Sequence, residues 1–199
     1  VTQALEAGVH VALEKPMAPT LEACERILAT AARHPDRVFM LTENAQYWPE
    51  VVMAQKLIAE GAIGKLVTAR SWHNFGITPE FYPSDESWRF QQSAAGGGVA
   101  LDTGSHWMRP LRMILGEIDE VVAVTGRLWE KMEGESMVRS LCLFKSGVVA
   151  SFDVILATGA VGLQPHFQFT GTTGEIVISA LGEVRLFDGK DWQGTVVGH

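Results

Sequence analysis

The sequence predicts two architectures in succession: an α/β segment built on a parallel sheet, then an α+β domain with an open, mostly antiparallel sheet. Three observations predict it. Residues 9–13 and 38–41 are short runs apolar on both faces, separated by a helix-period stretch, which is the pattern of parallel strands covered by helices. From residue 121 the period becomes that of strands, with runs at 121–129, 137–144, 148–155, 166–170, 175–178 and 184–187. Lys145-Ser146-Gly147 and residues 171–174 are short turn sequences that suit antiparallel neighbours. The change of pattern falls near Gly64, dividing the chain into 1–64 and 65–199.

The elements follow in order. Residues 1–7 read as the last turns of a helix, with Gly8 as its C-cap. After the 9–13 strand, Thr20 caps a helix of about four turns whose apolar positions Leu21, Cys24, Ile27, Leu28 and Ala31 recur every three or four residues. Pro35 stops it, and the 38–41 strand completes a βαβ unit. Pro49 suits the first turn of the next helix, where Val52, Met53, Leu57 and Ile58 form the apolar face before Gly61 and Gly64 end it. Residues 66–73 are strand-like. The polar and aromatic connector 74–95, with Tyr82, Trp88 and Arg89, is long enough to be a lid or wall over a site. After Gly96-Gly97-Gly98, residues 99–115 form one helix candidate carrying Asp102 and His106, four apart and so on one side. Residues 189–199 trail off without a closing element, so both ends read as those of a piece of a longer chain or of a short relative.

Size and charge limit the function classes. The 199 residues are 47% hydrophobic, enough for a real core, with a net charge of -7 and no basic stripe interleaved with aromatics, so nucleic acid is excluded as a partner class. Cys24 and Cys142 lie far apart among apolar residues and predict buried thiols rather than a disulfide. There is no signal-peptide pattern and no apolar run near 18 residues, which predicts a soluble cytoplasmic protein without a membrane partner.

The chemistry-bearing residues stand where strands leave a sheet. Glu14-Lys15-Pro16 ends the first strand, at the edge where open α/β sheets place ligands. Glu43-Asn44-Ala45-Gln46-Tyr47 follows the second strand at the same edge, where polar side chains can face a ligand. Each residue also has a plain structural reading: Lys15 as a solvated lysine, Asp102 as an N-cap, His106 as a helix-surface histidine, Trp88 as a packing anchor. A metal site at Asp102 and His106, with His73 or His166 as third ligand, lacks a compact His/Cys cluster.

Four landmarks then agree in order and spacing. Residues 4–18 contain Gly8-Val9-His10-Val11-Ala12-Leu13-Glu14-Lys15-Pro16. Leu57-Ile58-Ala59-Glu60-Gly61-Ala62-Ile63-Gly64 closes a helix, Trp88-Arg89 lies in the connector, and Gly96-Gly97-Gly98 leads to Asp102-Thr103-Gly104-Ser105-His106. Together they resemble the glucose-fructose oxidoreductase / inositol dehydrogenase / MocA family. The resemblance implies that 1–64 is the later part of a Rossmann-like domain for NAD or NADP. It implies that 65–199 is a domain that holds a sugar, cyclitol or related substrate and mediates homo-oligomerisation. By the same comparison the glycine-rich dinucleotide fingerprint precedes Val1.

Carried over by motif, the resemblance implies catalytic roles for Lys15, Asp102 and His106, and cofactor contacts from Glu14, Lys15, Pro16, Asn44, Trp88 and Arg89. Gln46 stands where many relatives have arginine. The implied reaction fits the residue types. Oxidation of a secondary alcohol needs a base for the hydroxyl proton, suited to His106, and a cation beside the developing alkoxide, suited to Lys15. Asp102, near the predicted helix start, is expected to stay ionised there and to orient the imidazole or bind a substrate hydroxyl. The rival reading is a non-catalytic sugar-binding or dimerisation module. Val148 and Val154, read as outward apolar positions, suggest self-association through the sheet.

Overall fold

The computed structural model describes residues 1–76, 87–157 and 161–196. A helix α1 (Thr2–Glu6) leads to strand β1 (Val11–Leu13), helix α2 (Leu21–Arg33) and strand β2 (Phe39–Leu41), and the two strands pair in parallel, Val11 opposite Phe39 and Leu13 opposite Leu41. Thr20 caps α2, its hydroxyl accepting from Ala23 N at 3.2 Å. Leu21 and Leu28 are 82% and 52% exposed, contrary to the expected core stripe. A sheet of two strands is too narrow to cover the whole apolar face of a 13-residue helix.

A 3-10 turn (Ala45–Tyr47) and helix α3 (Pro49–Ala59) connect to the larger layer. In α3 the buried positions are Glu50, Val51 and Ala54, while Val52, expected on the inner face, is half exposed. Strand β3 (Leu66–Gly76) enters the main sheet. Of the expected lid, residues 77–86 with Tyr82 lie outside the described residues. Of the described remainder, residues 74–76 are the end of β3, and the rest holds a 3-10 turn (Trp88–Phe90) and helix α4 (Gln92–Ala95).

The predicted 99–115 helix is two helices, α5 (Val99–Asp102) and α6 (Ser105–Leu115). Thr103 and Gly104 separate them, and a Cβ on Gly104 would lie 2.5 Å from the Ala100 carbonyl oxygen and 2.9 Å from the Phe152 ring. The chain therefore passes too close to its neighbours there for a side chain. Asp102 ends the first helix instead of standing at the start of a long one.

Seven further strands follow: β4 (Ile118–Gly126), β5 (Met137–Phe144), β6 (Val149–Ala157), β7 (Phe167–Gly171), β8 (Glu175–Ile178), β9 (Glu183–Phe187) and β10 (Trp192–Val196). With β3 they form an eight-stranded sheet in the order β10-β9-β8-β7-β3-β6-β5-β4, antiparallel except for β3 beside β6. The expected trailing end is corrected by β10, which pairs with β9 from Trp192 opposite Phe187. The fold class read from the sequence, a small parallel sheet followed by a mostly antiparallel one, is the observed one.

The core lies where α3, α5 and α6 cover one face of the large sheet, with Val51, Val99, Leu111, Phe152, Phe167 and Ile176 buried in it. The parity of β6 corrects the outward pair: Val154 is fully buried and Val148 is 8% exposed. Ala150 and Phe152 belong to the core, and the period of two carries Val148 and Val154 to the same side. On β4, β5 and β6 the exposed apolar residues include Val121, Val122, Val124, Leu141 and Val149. Cys142 is buried, Cys24 is half-buried, and both thiols are free. Among the described residues no helix is long and apolar enough to cross a membrane.

Candidate active site

Lys15 leaves the C-terminal end of β1 through a cis peptide to Pro16, and its side chain, 14% exposed, turns toward the end of α5. Its ammonium donates to the Asp102 backbone carbonyl at 2.8 Å and to Asp102 Oδ1 at 3.1 Å. Arg89 Nε donates to the other carboxylate oxygen, Oδ2, at 3.0 Å, and the guanidinium lies 4.6 Å above the Trp88 ring. Asp102 is thus held between two cations from two different loops, not by the start of a helix.

His106, on the first turn of α6, faces the end of β2. Its Nδ1 is 2.6 Å from Glu43 Oε1, and the Trp48 and Trp107 rings flank it at centroid distances of 6.1 and 6.3 Å. The same Glu43 oxygen accepts Ala45 N at 2.8 Å, while Gln46 Nε2 donates to the Glu43 carbonyl at 2.8 Å. Arg109, three residues after His106, donates to Gln46 Oε1 at 2.8 Å. Asp102, at the end of α5, and His106, on the first turn of α6, both face the carboxyl ends of β1 and β2, although the single helix expected to carry them together is broken between them. Each meets its own partner there, so the expected pairing of Asp102 with the imidazole is replaced by Glu43.

The other sequence candidates divide. Glu14 is exposed and its carboxylate accepts from the Thr42 hydroxyl at 2.9 Å, tying the two strand ends together. Asn44 is exposed and does not cap the 3-10 turn that it precedes. Trp88 is 46% exposed beside Arg89. A cavity of about 440 Å³ has Lys15, Pro16, Glu43, Gln46, Ser105 and Arg109 among its walls.

Sequence reasoning missed two residues. Glu43 lies inside the polar stretch read at the edge of the second strand, and its signal was the same as that of Lys15, a charge directly after an apolar run. Glu135 carried no local signal. Its carboxylate accepts Gly98 N at 3.0 Å and Ala100 N at 3.1 Å, and its carbonyl accepts Val99 N at 2.9 Å, so it caps the start of α5 from 35 or more positions away. Gly98 allows this approach: a Cβ there would lie 1.9 Å from the Glu135 carbonyl oxygen.

His73 and His166 pack edge to face, their ring centroids 5.7 Å apart. Burial, then the neighbouring His166 and His106, pull the His73 pKa down to about 3, and its ring stacks on Trp107 at 3.6 Å. Burial also lowers the pKa of His166. Among the described residues no group of three or more His, Cys, Asp or Glu side chains could hold a metal ion.

Comparison with known proteins defines the class. Residues 1–42 match the family model described as an oxidoreductase family with an NAD-binding Rossmann fold, and residues 51–177 match the GFO/IDH/MocA C-terminal domain. These regions are those of nicotinamide-dependent oxidoreductases. The chain is 37% identical over 201 residues to levoglucosan dehydrogenase of Pseudarthrobacter phenanthrenivorans, covering 88% of this chain and 50% of that one. It is 33% identical over 176 residues to 1,5-anhydro-D-fructose reductase of Ensifer adhaerens, covering 87% and 51%. A solved structure of levoglucosan dehydrogenase in complex with NADH and L-sorbose superposes with a TM-score of 0.85 at 28% identity, covering 99% of this chain and 57% of that one. The chain belongs to the GFO/IDH/MocA oxidoreductase family, and it spans about half the length of the curated relatives that it matches.

Proposed function

We propose that the protein containing this chain is an NAD(P)-dependent oxidoreductase that moves a hydride between nicotinamide and a secondary hydroxyl of a sugar, cyclitol or related polyol. The observation that carries the reading is the position of the Lys15–Asp102 pair and the His106–Glu43 pair at the carboxyl ends of β1 and β2. The relatives named above, two sugar oxidoreductases, support the substrate class. In this reading residues 1–64 belong to the nucleotide-binding domain and 65–199 to the substrate domain.

The donor set fits the nicotinamide end of the cofactor. A largely buried ammonium held by Asp102 and an imidazole held by Glu43 both lie at the ligand-binding edge of the small sheet, which suits an alcohol whose proton and hydride leave from adjoining atoms. Lys15, Pro16, Trp88 and Arg89 line the side where the ring would be held, with Glu14 and Asn44 contributing backbone. The nicotinamide, when bound, accepts or supplies the hydride.

The chain's own groups do the rest. Lysine has three N–H donors, and Lys15 commits two of its contacts to Asp102, leaving one direction for a substrate oxygen. That hydrogen bond stabilises the alkoxide as it forms. Asp102 holds Lys15 and Arg89 at a fixed separation, so the ammonium does not reorganise during reaction. His106 accepts the hydroxyl proton at Nε2, since Nδ1 is occupied by Glu43. The outward valines and leucine of β4, β5 and β6 form the face for self-association in the homo-oligomer.

The direct test is titration of the complete protein with NADH and NADPH, followed by nicotinamide fluorescence, and then turnover with a panel of aldoses, anhydro sugars and cyclitols. Binding of a dinucleotide and oxidation of one class supports the reading. Absence of dinucleotide binding at high micromolar protein supports the non-catalytic module instead.

A further inference from the structure

We propose that Glu43 is a positioning residue for His106, fixing the imidazole in the tautomer that leaves Nε2 as the proton acceptor. The inference rests on the reading of His106 as the acid-base group, and it assigns the orienting role to a carboxylate that the motif Asp102-Thr103-Gly104-Ser105-His106 does not contain.

The geometry separates two carboxylates. Asp102 accepts from a cation on each oxygen, Lys15 on Oδ1 and Arg89 on Oδ2, whereas the imidazole of His106 meets Glu43. Glu43 is 7% exposed, and the partners of its carboxylate among the described residues are the Ala45 N–H at 2.8 Å and His106 Nδ1 at 2.6 Å, both on Oε1. Its Oε2 is buried without a partner among the described residues. A carboxylate buried in this way is costly unless a positive or strongly donating group faces it, and His106 is the titratable group in contact. The carboxylate can only accept, so the proton between the two residues belongs to Nδ1. Neutral His106 then presents the Nε2 lone pair, and uptake of a second proton there produces an imidazolium directly paired with Glu43. No proton needs to pass to Glu43 at any stage.

The local chain makes Glu43 suited to this task. It lies two residues after the end of β2, its carbonyl is held by Gln46 and its Oε1 by the Ala45 amide, so the carboxylate is fixed before His106 reaches it. His106 is fixed independently by α6, with Trp48 and Trp107 beside the ring. Two rigid supports meeting at one short hydrogen bond define an orientation more closely than two loops do.

The test is heteronuclear NMR of the histidine ring nitrogens in the complete protein without substrate, at a pH where the ring is neutral, for wild type and Glu43→Gln. Wild type should show the Nδ1–H tautomer of His106, and Glu43→Gln, whose amide can donate as well as accept, should show a mixture or the Nε2–H form. An Nε2–H form in wild type overturns the proposal outright, as does the same tautomer in both proteins. Steady-state kinetics give the second readout. Glu43→Gln should lower kcat by roughly ten- to a hundredfold, the usual cost of losing an orienting partner, with KM little changed. If His106→Ala leaves turnover intact, the acid-base reading fails, while the tautomer measurement still decides the role of Glu43.

Discussion

Lys15 and Asp102, 87 positions apart, are joined twice: the ammonium donates to the Asp102 carbonyl at 2.8 Å and to its carboxylate at 3.1 Å. The backbone contact fixes where the end of α5 sits relative to β1, and the side-chain contact fixes the direction of the remaining N–H. Lys15→Ala should therefore lower turnover by roughly ten- to ten-thousandfold, the range of a positioned polar catalytic group, and His106→Ala should do the same. Steady-state assays on both variants check this, and near-normal turnover in both defeats the assignment.

Trp88 is half exposed and carries Arg89 over its ring, while Arg89 holds Asp102 Oδ2. Trp88→Ala should raise the Kd for the nicotinamide dinucleotide by roughly two- to tenfold, the worth of one aromatic contact. Fluorescence titration measures it, and an unchanged Kd removes Trp88 from the cofactor's surroundings.

Gly98→Ala places a Cβ 1.9 Å from the Glu135 carbonyl oxygen, whereas Gly97→Ala meets first the Leu101 side chain, at 3.3 Å. The backbone cannot yield as a side chain can. Gly98→Ala should cost roughly 1–3 kcal/mol of stability and reduce activity, because α5 carries Asp102, while Gly97→Ala costs less. Urea unfolding of the two variants side by side gives the comparison. Equal midpoints would show that the Glu135 segment moves aside freely.

The depressed pKa of His73 makes stability depend on pH. Burial first, then His166 and His106, bring it to about 3 from 6.5. Between these values the unfolded chain binds a proton that the folded chain does not, so stability is present above about pH 6.5 and is lost as pH falls toward 3. His166, lowered by burial, adds a contribution of the same sign. Replacing His73 with Phe should flatten the acid side of a plot of unfolding free energy against pH. An unchanged slope would place the destabilisation elsewhere.

Local patterns were legible where one face of an element decides its sequence. Thr20 at the cap of α2, the two parallel apolar strands, and the limits of β5 and β8 follow from side-chain period and hydrogen-bonding residues within a few positions. Parity in β6 was misread because Val148-Val149 offers two apolar faces, and only the packing of Ala150 and Phe152 against the helices selects one. The single helix expected over 99–115 failed for a similar reason, since the close approach at Gly104 is made by Phe152 from another strand.

The sequence by itself determined the family and the two-part architecture, and it singled out Lys15, Asp102 and His106 as candidates, because motif spacing and apolar period are written in neighbouring residues. Only the tertiary structure decided which side chain each carboxylate meets. Asp102 lies four residues from His106 yet pairs with Lys15 and Arg89, and Glu43 reaches the imidazole from 63 positions away. Such pairings depend on how helix α6 is laid across the ends of β1 and β2, a relation set by packing over the whole sheet and encoded in no local stretch of the chain.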